Sequence, residues 1–209
     1  MRKNKKRQHF VICILAAIPV CFFSAQGRQR PEQQILTLMK SRDASIKAVL
    51  GEEGTSYTVE QKNELKELIN NVIDFKEMSK IALDRYWEGL SDEEKTEFVS
   101  IFSELVRRSS LKKLDIFRAE IEYKDIEIEN GIAVARTIAA YEQTKTNVDY
   151  KFRAKNNQWY VTDFLIDDVS TAESYKKSFQ KIIRKHSYSG LIERMKKKLA
   201  EKEEEEQIL

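Results

Sequence analysis

The spacing of apolar residues changes twice along this chain, and this change restricts the possible folds more than any other feature. Up to about residue 111 the apolar residues recur every three or four positions, as in amphipathic helices. Between Glu120 and Ile166 they alternate with polar residues, as in half-buried strands. Helical spacing returns after Ser170. The order of helices, sheet and helices predicts an α+β fold.

Four antiparallel strands are predicted in the middle of the chain. The first alternates charged and apolar residues over 120–129, and Asn130–Gly131 then predicts a two-residue hairpin turn. The second strand follows over 132–142, and the Asn156–Asn157 turn separates the third from the fourth, at 158–166. Such a curved four-stranded sheet, covered by amphipathic helices, either packs solidly against them or leaves a pocket between the layers. The spacing of the apolar residues does not distinguish a solid interface from a pocket.

Two patterns with capping-box spacing mark the starts of helices. Asp74 with Glu77, and Ser91 with Glu94, place an acid three residues after a side chain that accepts from free backbone N–H groups. Further helices are predicted at 32–50, which ends at a glycine, and at 65–73. Two more, at 175–183 and 191–199, follow the sheet, and each of these segments has one apolar face.

The amino terminus has the layout of a secretory signal. Five basic residues at positions 2–7 precede an apolar run at 10–23, which is followed by Ser24, Ala25 and Gly27. The run has 14 residues and contains Pro19, so it is shorter than the roughly 20 apolar residues of a spanning helix. The sequence therefore predicts a cleaved leader at residues 1–27 and export from the cytoplasm.

Removal of the leader changes the charge and the cysteine content. The leader holds five of the 37 Lys and Arg residues and no acidic residue, so 32 basic side chains remain against 34 acidic ones. A nucleic-acid-binding protein needs a basic face, and outside Lys196–Lys198 the remaining chain concentrates no basic residues into one, so no nucleic-acid partner is expected. Both cysteines, Cys13 and Cys21, lie in the leader, which excludes disulfides and cysteine metal sites from the mature chain.

The mature chain is expected to form one domain. Only two prolines and six glycines occur in 209 residues, which disfavours a long flexible linker. Residues 28–200 would form this domain, and the charged segment 201–209 would form a solvated tail, since Lys202–Glu206 reads KEEEE.

The sequence contains no recognisable catalytic or metal-binding motif. His186 is the one histidine after the leader and stands in a basic helical stretch, where a solvated side chain is expected. The acids Asp149, Asp163, Asp167 and Asp168 lack the spacing of a calcium loop and are interpreted as exposed strand and turn positions. We predict no catalytic residues, no metal site and no cofactor.

The segment 74–98 resembles the MlaC, or toluene-tolerance auxiliary, family of periplasmic phospholipid-binding proteins, whose signature is approximately D-F-x-x-M-S-x-x-A-L-x-x-x-W-x-x-L-S-x-x-x-x-x-x-F. The matching residues are Asp74, Phe75, Met78, Ser79, Ala82, Leu83, Trp87, Leu90, Ser91 and Phe98. The likeness continues through 148–151, Trp159, Asp163 and 175–179, and ends near Leu199.

The resemblance implies a periplasmic carrier with a deep apolar slot for phospholipid acyl chains. Its partners would be an inner-membrane ABC-type lipid transporter complex and an outer-membrane lipoprotein and porin complex, and phospholipid would be cargo rather than cofactor. Such transport would maintain outer-membrane lipid asymmetry, and a monomer is expected because a shuttle must diffuse. Two alternatives stay open: a lipid-free module that bridges periplasmic partners, and a carrier of another apolar lipid such as a hopanoid.

Eleven apolar residues are candidates for the slot, because they lie on predicted core-facing stripes and mostly within the resembling region. They are Leu83, Trp87, Phe98, Phe102, Leu105, Val148, Tyr150, Phe152, Val161, Phe164 and Phe179. For each of them, ordinary core packing without lipid contact is the competing interpretation.

Overall fold

The computed structural model describes residues 29–54, 57–111 and 114–207, so the predicted leader lies outside the described residues. The α-helices are α1 (Pro31–Leu50), α2 (Val59–Asn70), α3 (Phe75–Leu83), α4 (Asp92–Leu111) and α5 (Thr171–Gln207), with 3-10 helices at Asp84–Tyr86 and Leu114–Arg118. Within the described ranges, no helix combines the length and the apolar character needed to cross a bilayer.

The sheet has five strands, not the four that the sequence predicts. They are β1 (Glu120–Glu129), β2 (Ile132–Tyr141), β3 (Thr144–Lys155), β4 (Gln158–Ile166) and β5 (Val169–Ser170), antiparallel and in chain order across the sheet. Asp167 and Asp168, with φ of 47° and 65°, form the turn that pairs Val169 with Ile166. A two-residue strand is too short to show the alternation by which longer strands are recognised.

Helices α3 and α4 begin at the predicted capping residues, but of these two only α4 has a complete capping box. At α4 the box is complete, since the Glu94 N–H donates to Ser91 Oγ at 3.2 Å and the Ser91 N–H donates to Glu94 at 2.8 Å. At α3 the Asp74 carboxylate accepts from two backbone N–H groups, but Glu77 contacts Lys80 instead of reaching back. A second complete box, between Thr58 and Gln61, starts α2 earlier than the apolar pattern predicts.

Helix α5 is interrupted at Ser187, so it consists of the two helical segments that the sequence predicts. Ser187 has φ 64° and ψ 176°, which is not a helical conformation. The second segment remains attached to α4, since the Tyr188 hydroxyl donates to the Glu94 carbonyl at 3.1 Å and Arg108 Nη1 donates to the Leu199 carbonyl at 2.9 Å.

The segment between α2 and α3 covers part of the free edge of β4. The Val161 N–H donates to the Val72 carbonyl at 2.7 Å, and the Asp74 N–H donates to the Val161 carbonyl at 2.8 Å. These two bonds satisfy backbone groups that an edge strand otherwise exposes. They also place the start of α3 directly beside the sheet.

The core consists of three apolar clusters. The helical cluster joins α3, α4 and α5 around Phe98, Phe102 and Phe179. The sheet cluster joins α1 to the sheet through Ile35, Ala133, Ala135, Phe152 and Val161. The third cluster joins α1, α2 and the turn before β1 through Ile46, Leu50, Leu65, Ile69 and Leu114.

Candidate functional site

One face of the sheet, called the inner face, is largely apolar across all strands. Its side chains form rows, because directly paired residues of antiparallel strands point to the same side. The first row contains Ile128, Ala133, Phe152 and Val161, and the second contains Ile126, Ala135, Tyr150 and Phe164. The third row contains Tyr123, Thr137, Val148, Ile166 and Val169.

The helices cover the first row and leave the β3–β5 end of the third row open. In the first row Phe152 is 1% exposed and Val161 is 4% exposed. In the third row Val148 is half-buried, Ile166 is 47% exposed and Val169 is 61% exposed. Apolar side chains that continue from a buried core to the surface are typical of a site for an apolar ligand or partner.

Two tyrosines of the inner face retain accessible surface although they lie among protein atoms. Burial, with a smaller contribution from the nearby Asp43 charge, raises the pKa of Tyr123 to about 12. Burial first, and then the neighbouring Tyr123 and Asp43, raise the pKa of Tyr150 to about 12 as well. Both side chains are nevertheless only half-buried by area. Tyr123 in addition lies on the wall of a recess.

A recess of about 260 Å³ opens between α1 and the β1 side of the inner face. Its wall combines the apolar or aromatic Leu36, Tyr123, Ile126 and Ala135 with polar and charged side chains of α1 and of strands β1 and β2. Helix backbones approach the sheet at its two sides, α1 at β1 and both α3 and α5 at β4. The recess therefore lies at the β1 side of the sheet, whereas Ile35 of α1 packs with Phe152 and Val161 over the middle strands.

The structure places ten of the eleven predicted slot residues in or against two clusters. Six belong to the helical cluster, namely Leu83, Trp87, Phe98, Phe102, Leu105 and Phe179, and Phe164 packs against it. Phe152 and Val161 belong to the sheet cluster, and Tyr150 packs against it. Val148 belongs to neither and stays half-buried in the third row.

The aromatic side chains of the helical cluster are closely packed with one another. The Phe98 and Phe102 rings are stacked at 5.5 Å, and the Phe179 ring meets both edge-on at 5.7 Å. Tyr175 contacts Phe102 edge-on at 4.9 Å. Both Phe98 and Phe102 are fully buried. In this arrangement they act as core, whereas Val148, Tyr150 and Phe164 face the partly open part of the sheet, and lipid contact stays a prediction for all eleven.

Several residues of the inner face are missing from the sequence-based set. Tyr123 and Ile126 alternate visibly with charged residues in β1, and this pattern was the available signal. Their position beside Tyr150 depends on the pairing of β1, β2 and β3, which no pattern within one strand contains. Ile166 and Val169 become neighbours through the Asp167–Asp168 turn.

Asp163 is not the exposed strand residue that the alternation predicts, since its side chain is 2% exposed. Its carboxylate accepts from the N–H of Phe164 at 2.9 Å, the N–H of Ala172 at 3.0 Å and the Ser170 hydroxyl at 2.7 Å. Lys151 Nζ lies 3.7 Å from the same carboxylate. Asp163 therefore fastens the start of α5 to β4.

The remaining polar groups of the described ranges include His186 and several scattered carboxylates. In the described part of the chain, no three His, Cys, Asp or Glu side chains are grouped closely enough to hold a metal ion. His186 is exposed and lies with Nε2 3.1 Å from Arg194 Nη2.

Comparison with known proteins gives matches of two kinds. The family model described as MlaC protein matches residues 40–197, and no curated protein matches the sequence significantly. The solved structure of a phospholipid-binding protein from Ralstonia solanacearum, in complex with a phospholipid, is similar with a TM-score of 0.69. The two sequences are 20% identical, the match covers 83% of this chain and 98% of that one, and it shows the fold. Because the family model covers most of the sequence, this chain belongs to the MlaC family.

Proposed function

We propose that this protein binds phospholipid and carries it through the periplasm. The observation that carries the proposal is the partly open inner face, where Val148, Tyr150 and Ile166 extend an apolar surface from the core to the outside. Membership of the MlaC family supports a binding and transport role rather than an enzymatic one. The Ralstonia protein, which has the same fold, was solved with a phospholipid.

Acyl chains would supply the binding free energy. Each methylene moved from water to an apolar site contributes roughly 0.8 kcal/mol, so two long chains provide far more than binding requires. The cost of ordering the chains and the protein reduces that sum. The head group would stay at the open end of the third row, because burying an unpaired phosphate is costly.

The layers would have to separate to admit lipid. The recess of about 260 Å³ at the inner face is below the roughly 300–1,000 Å³ of typical small-molecule pockets. Acyl chains would therefore enter by moving helices away from the sheet, which exposes more of the second row. We expect Tyr150 and Phe164, which line that row, to gain lipid contacts before the tightly packed Phe98 and Phe102 do.

Finer parts of the proposal rest either on the sequence, as for the leader and the domain bounds, or on the family, as for the partner complexes. They comprise the cleaved leader at 1–27, the single domain at 28–200, the monomer, and exchange with an inner-membrane ABC-type complex and an outer-membrane lipoprotein and porin complex. We found no nucleotide-binding motif in the sequence, so the direction of transport would be set by the energised partner and by differences in affinity.

Native mass spectrometry of the mature protein, purified from periplasm without detergent, tests the proposal directly. We expect a mass excess that denaturing extraction and lipid analysis resolve into stoichiometric phospholipid. A clean protein mass, together with no uptake of lipid from phospholipid vesicles, would reject the carrier function and favour a lipid-free bridging module. Stoichiometric hopanoid instead of phospholipid would retain the carrier and change its cargo.

A matched pair of variants connects the lipid to the inner face. Ile166→Asp places a charge on the third row, and Val59→Asp makes the same kind of change at the start of α2, where Val59 is 67% exposed. We expect Ile166→Asp to lower the bound phospholipid several-fold and Val59→Asp to leave it unchanged. Equal lipid content in both variants would show that the ligand does not lie on the inner face.

A further inference from the structure

A second cavity lies apart from the inner face. It has a volume of about 490 Å³ and is formed by the end of α2, the start of α3, one side of α4 and the turn between β3 and β4. Its wall includes Phe75, Arg107, Lys155 and Tyr160, and the two strand residues are not members of the inner-face rows. A ligand of this cavity would therefore be separate from the acyl chains.

Arg107 is the described residue of this cavity whose side chain has a buried donor without a hydrogen-bond partner. Its guanidinium carbon lies 4.9 Å from the centre of the Phe75 ring, a cation–π contact. Its Nη1 lies 3.7 Å from Glu104 Oε2, beyond hydrogen-bond distance. Its Nε is shielded from solvent and has no hydrogen-bond partner among the described residues. A guanidinium donor without an acceptor, held against a cavity wall, is a ready site for an anion.

The nearby carboxylates already have other partners. Glu104 accepts from Lys66 Nζ at 2.9 Å and from Arg108 Nε at 2.9 Å. Asp74 accepts from Lys155 Nζ at 2.9 Å. The surplus charge at the cavity is therefore positive.

Two further charged residues on the cavity wall, Glu67 and Lys76, have opposite signs and offset each other. The wall therefore has one more cationic than anionic side chain, and Arg107 is the cation whose carboxylate neighbour, Glu104, lies beyond hydrogen-bond distance.

The shape and charge of the Arg107 guanidinium indicate the class of ligand. A single planar guanidinium matches a carboxylate, which accepts two parallel N–H bonds and carries one negative charge. A phosphate dianion is better matched by several free cations than by one. The amides of Asn71 and Asn156 on the same wall can pair with peptide groups beside the carboxylate. We propose that this cavity binds an acidic side chain of a partner protein, with Arg107 as the anchor.

Nuclear magnetic resonance titration of the mature protein tests the proposal, with the Arg107 Nε–H signal as the readout. The probes are acetyl-Leu-Glu-Leu-amide, the same peptide with Gln in place of Glu, and inorganic phosphate. We expect saturable movement of the signal with the Glu peptide, and binding about tenfold weaker with the Gln peptide, because a charged hydrogen-bond acceptor is lost. Phosphate should also bind more weakly than the Glu peptide.

Variants establish where the peptide binds. Arg107→Gln should abolish the saturable shifts of neighbouring backbone signals, and Arg107→Lys should retain only part of the affinity, since lysine lacks the planar fork. Arg85→Gln is the matched control, because Arg85 also lies over an aromatic ring, that of Tyr86, but outside the cavity. Arg85→Gln should bind like the parent protein.

Other results would overturn the acidic-peptide site: no saturation, equal binding of the Glu and Gln peptides, stronger binding of phosphate, or unchanged binding by Arg107→Gln. Phospholipid content measured on the same samples keeps this outcome separate from the proposed lipid function. The lipid should be the same in the parent protein and in all three variants, because the cavity lies outside the inner-face rows.

Discussion

Replacement of Asp163 should destabilise the protein more than any other change to an acidic residue of the sheet. The side chain is 2% exposed and accepts three hydrogen bonds, two from backbone N–H groups and one from the Ser170 hydroxyl. Ser170 Oγ in turn accepts from the Glu173 N–H at 3.0 Å. One carboxylate thus supports the start of α5 directly and through the serine that caps it.

The expected magnitude follows from the number of donors that lose their acceptor. Asp163→Ala leaves buried N–H groups unpaired, each costing about 1–3 kcal/mol, and non-additivity limits the total to about 3–5 kcal/mol. Asp163→Asn keeps the shape and one acceptor oxygen, so we expect about 2 kcal/mol. Lys151, which is 39% exposed, can be hydrated when its partner is removed and should add little.

Urea unfolding followed by circular dichroism measures these differences. A domain of this size has a free energy of unfolding of about 5–15 kcal/mol, so Asp163→Ala should remove a large part of it. The matched control is Asp168→Asn, an exposed turn residue with φ 65°, a conformation that asparagine tolerates. If Asp163→Asn costs no more than this control, the carboxylate does not hold α5 as described.

Three further predictions concern the pair Phe102 and Val148, the Asp74 carboxylate and the Tyr150 hydroxyl. Phe102→Ala should lower the free energy of unfolding, measured with urea, by about 3–5 kcal/mol, and Val148→Ala should lower it by less than about 1.5 kcal/mol. Val148→Ala should in turn lower the amount of bound phospholipid more than Phe102→Ala does. The opposite result in both measurements would show that Phe102 lines the lipid site and Val148 belongs to the core. Although burial opposes it, hydrogen bonds from Lys155 and the backbone lower the pKa of Asp74 below 3.8. The Asp74 carboxylate therefore stabilises the folded protein above that pH, and this stabilisation is lost as the pH falls through the folded pKa. The difference in free energy of unfolding between the parent protein and Asp74→Asn, measured from about pH 6 to about pH 3, should become smaller toward acid pH. Because the pKa of Tyr150 is raised to about 12, its ionisation, followed by ultraviolet difference spectra against Tyr150→Phe, should occur well above the ordinary tyrosine range. Stability should fall as the pH rises above about 10, and ordinary titration of Tyr150 would contradict its enclosed position.

Local patterns in the sequence determined most of the secondary structure. The Ser91 and Glu94 pair predicted the start of α4, and the Asn130–Gly131 turn predicted the hairpin between β1 and β2, because each depends on backbone groups within a few residues. The local spacing of apolar residues likewise predicted the two helical segments of α5 on either side of Ser187. The family was also recognisable, since its signature lies in consecutive residues at 74–98.

Features that depend on distant partners were decided only by the tertiary structure. Asp163 is separated by several residues from the helix start that it caps, and alternation alone placed it on the exposed side. The apolar residues at 74–111 indicated amphipathic helices, but the pattern did not distinguish residues that pack with each other from those that face the sheet. Phe102 and Val148 are both apolar, yet Phe102 is fully buried among rings and Val148 is half-buried beside the exposed Ile166.

The candidate site is therefore a property of the assembled sheet. The sequence determined that an apolar face would exist, because period-two alternation places apolar side chains on one side of each strand. Which of them share a row depends on strand register, and which rows stay accessible depends on how α1, α3 and α5 approach the sheet. Burial is set by atoms far apart in the chain, so only the folded structure shows that the third row remains open at Ile166 and Val169.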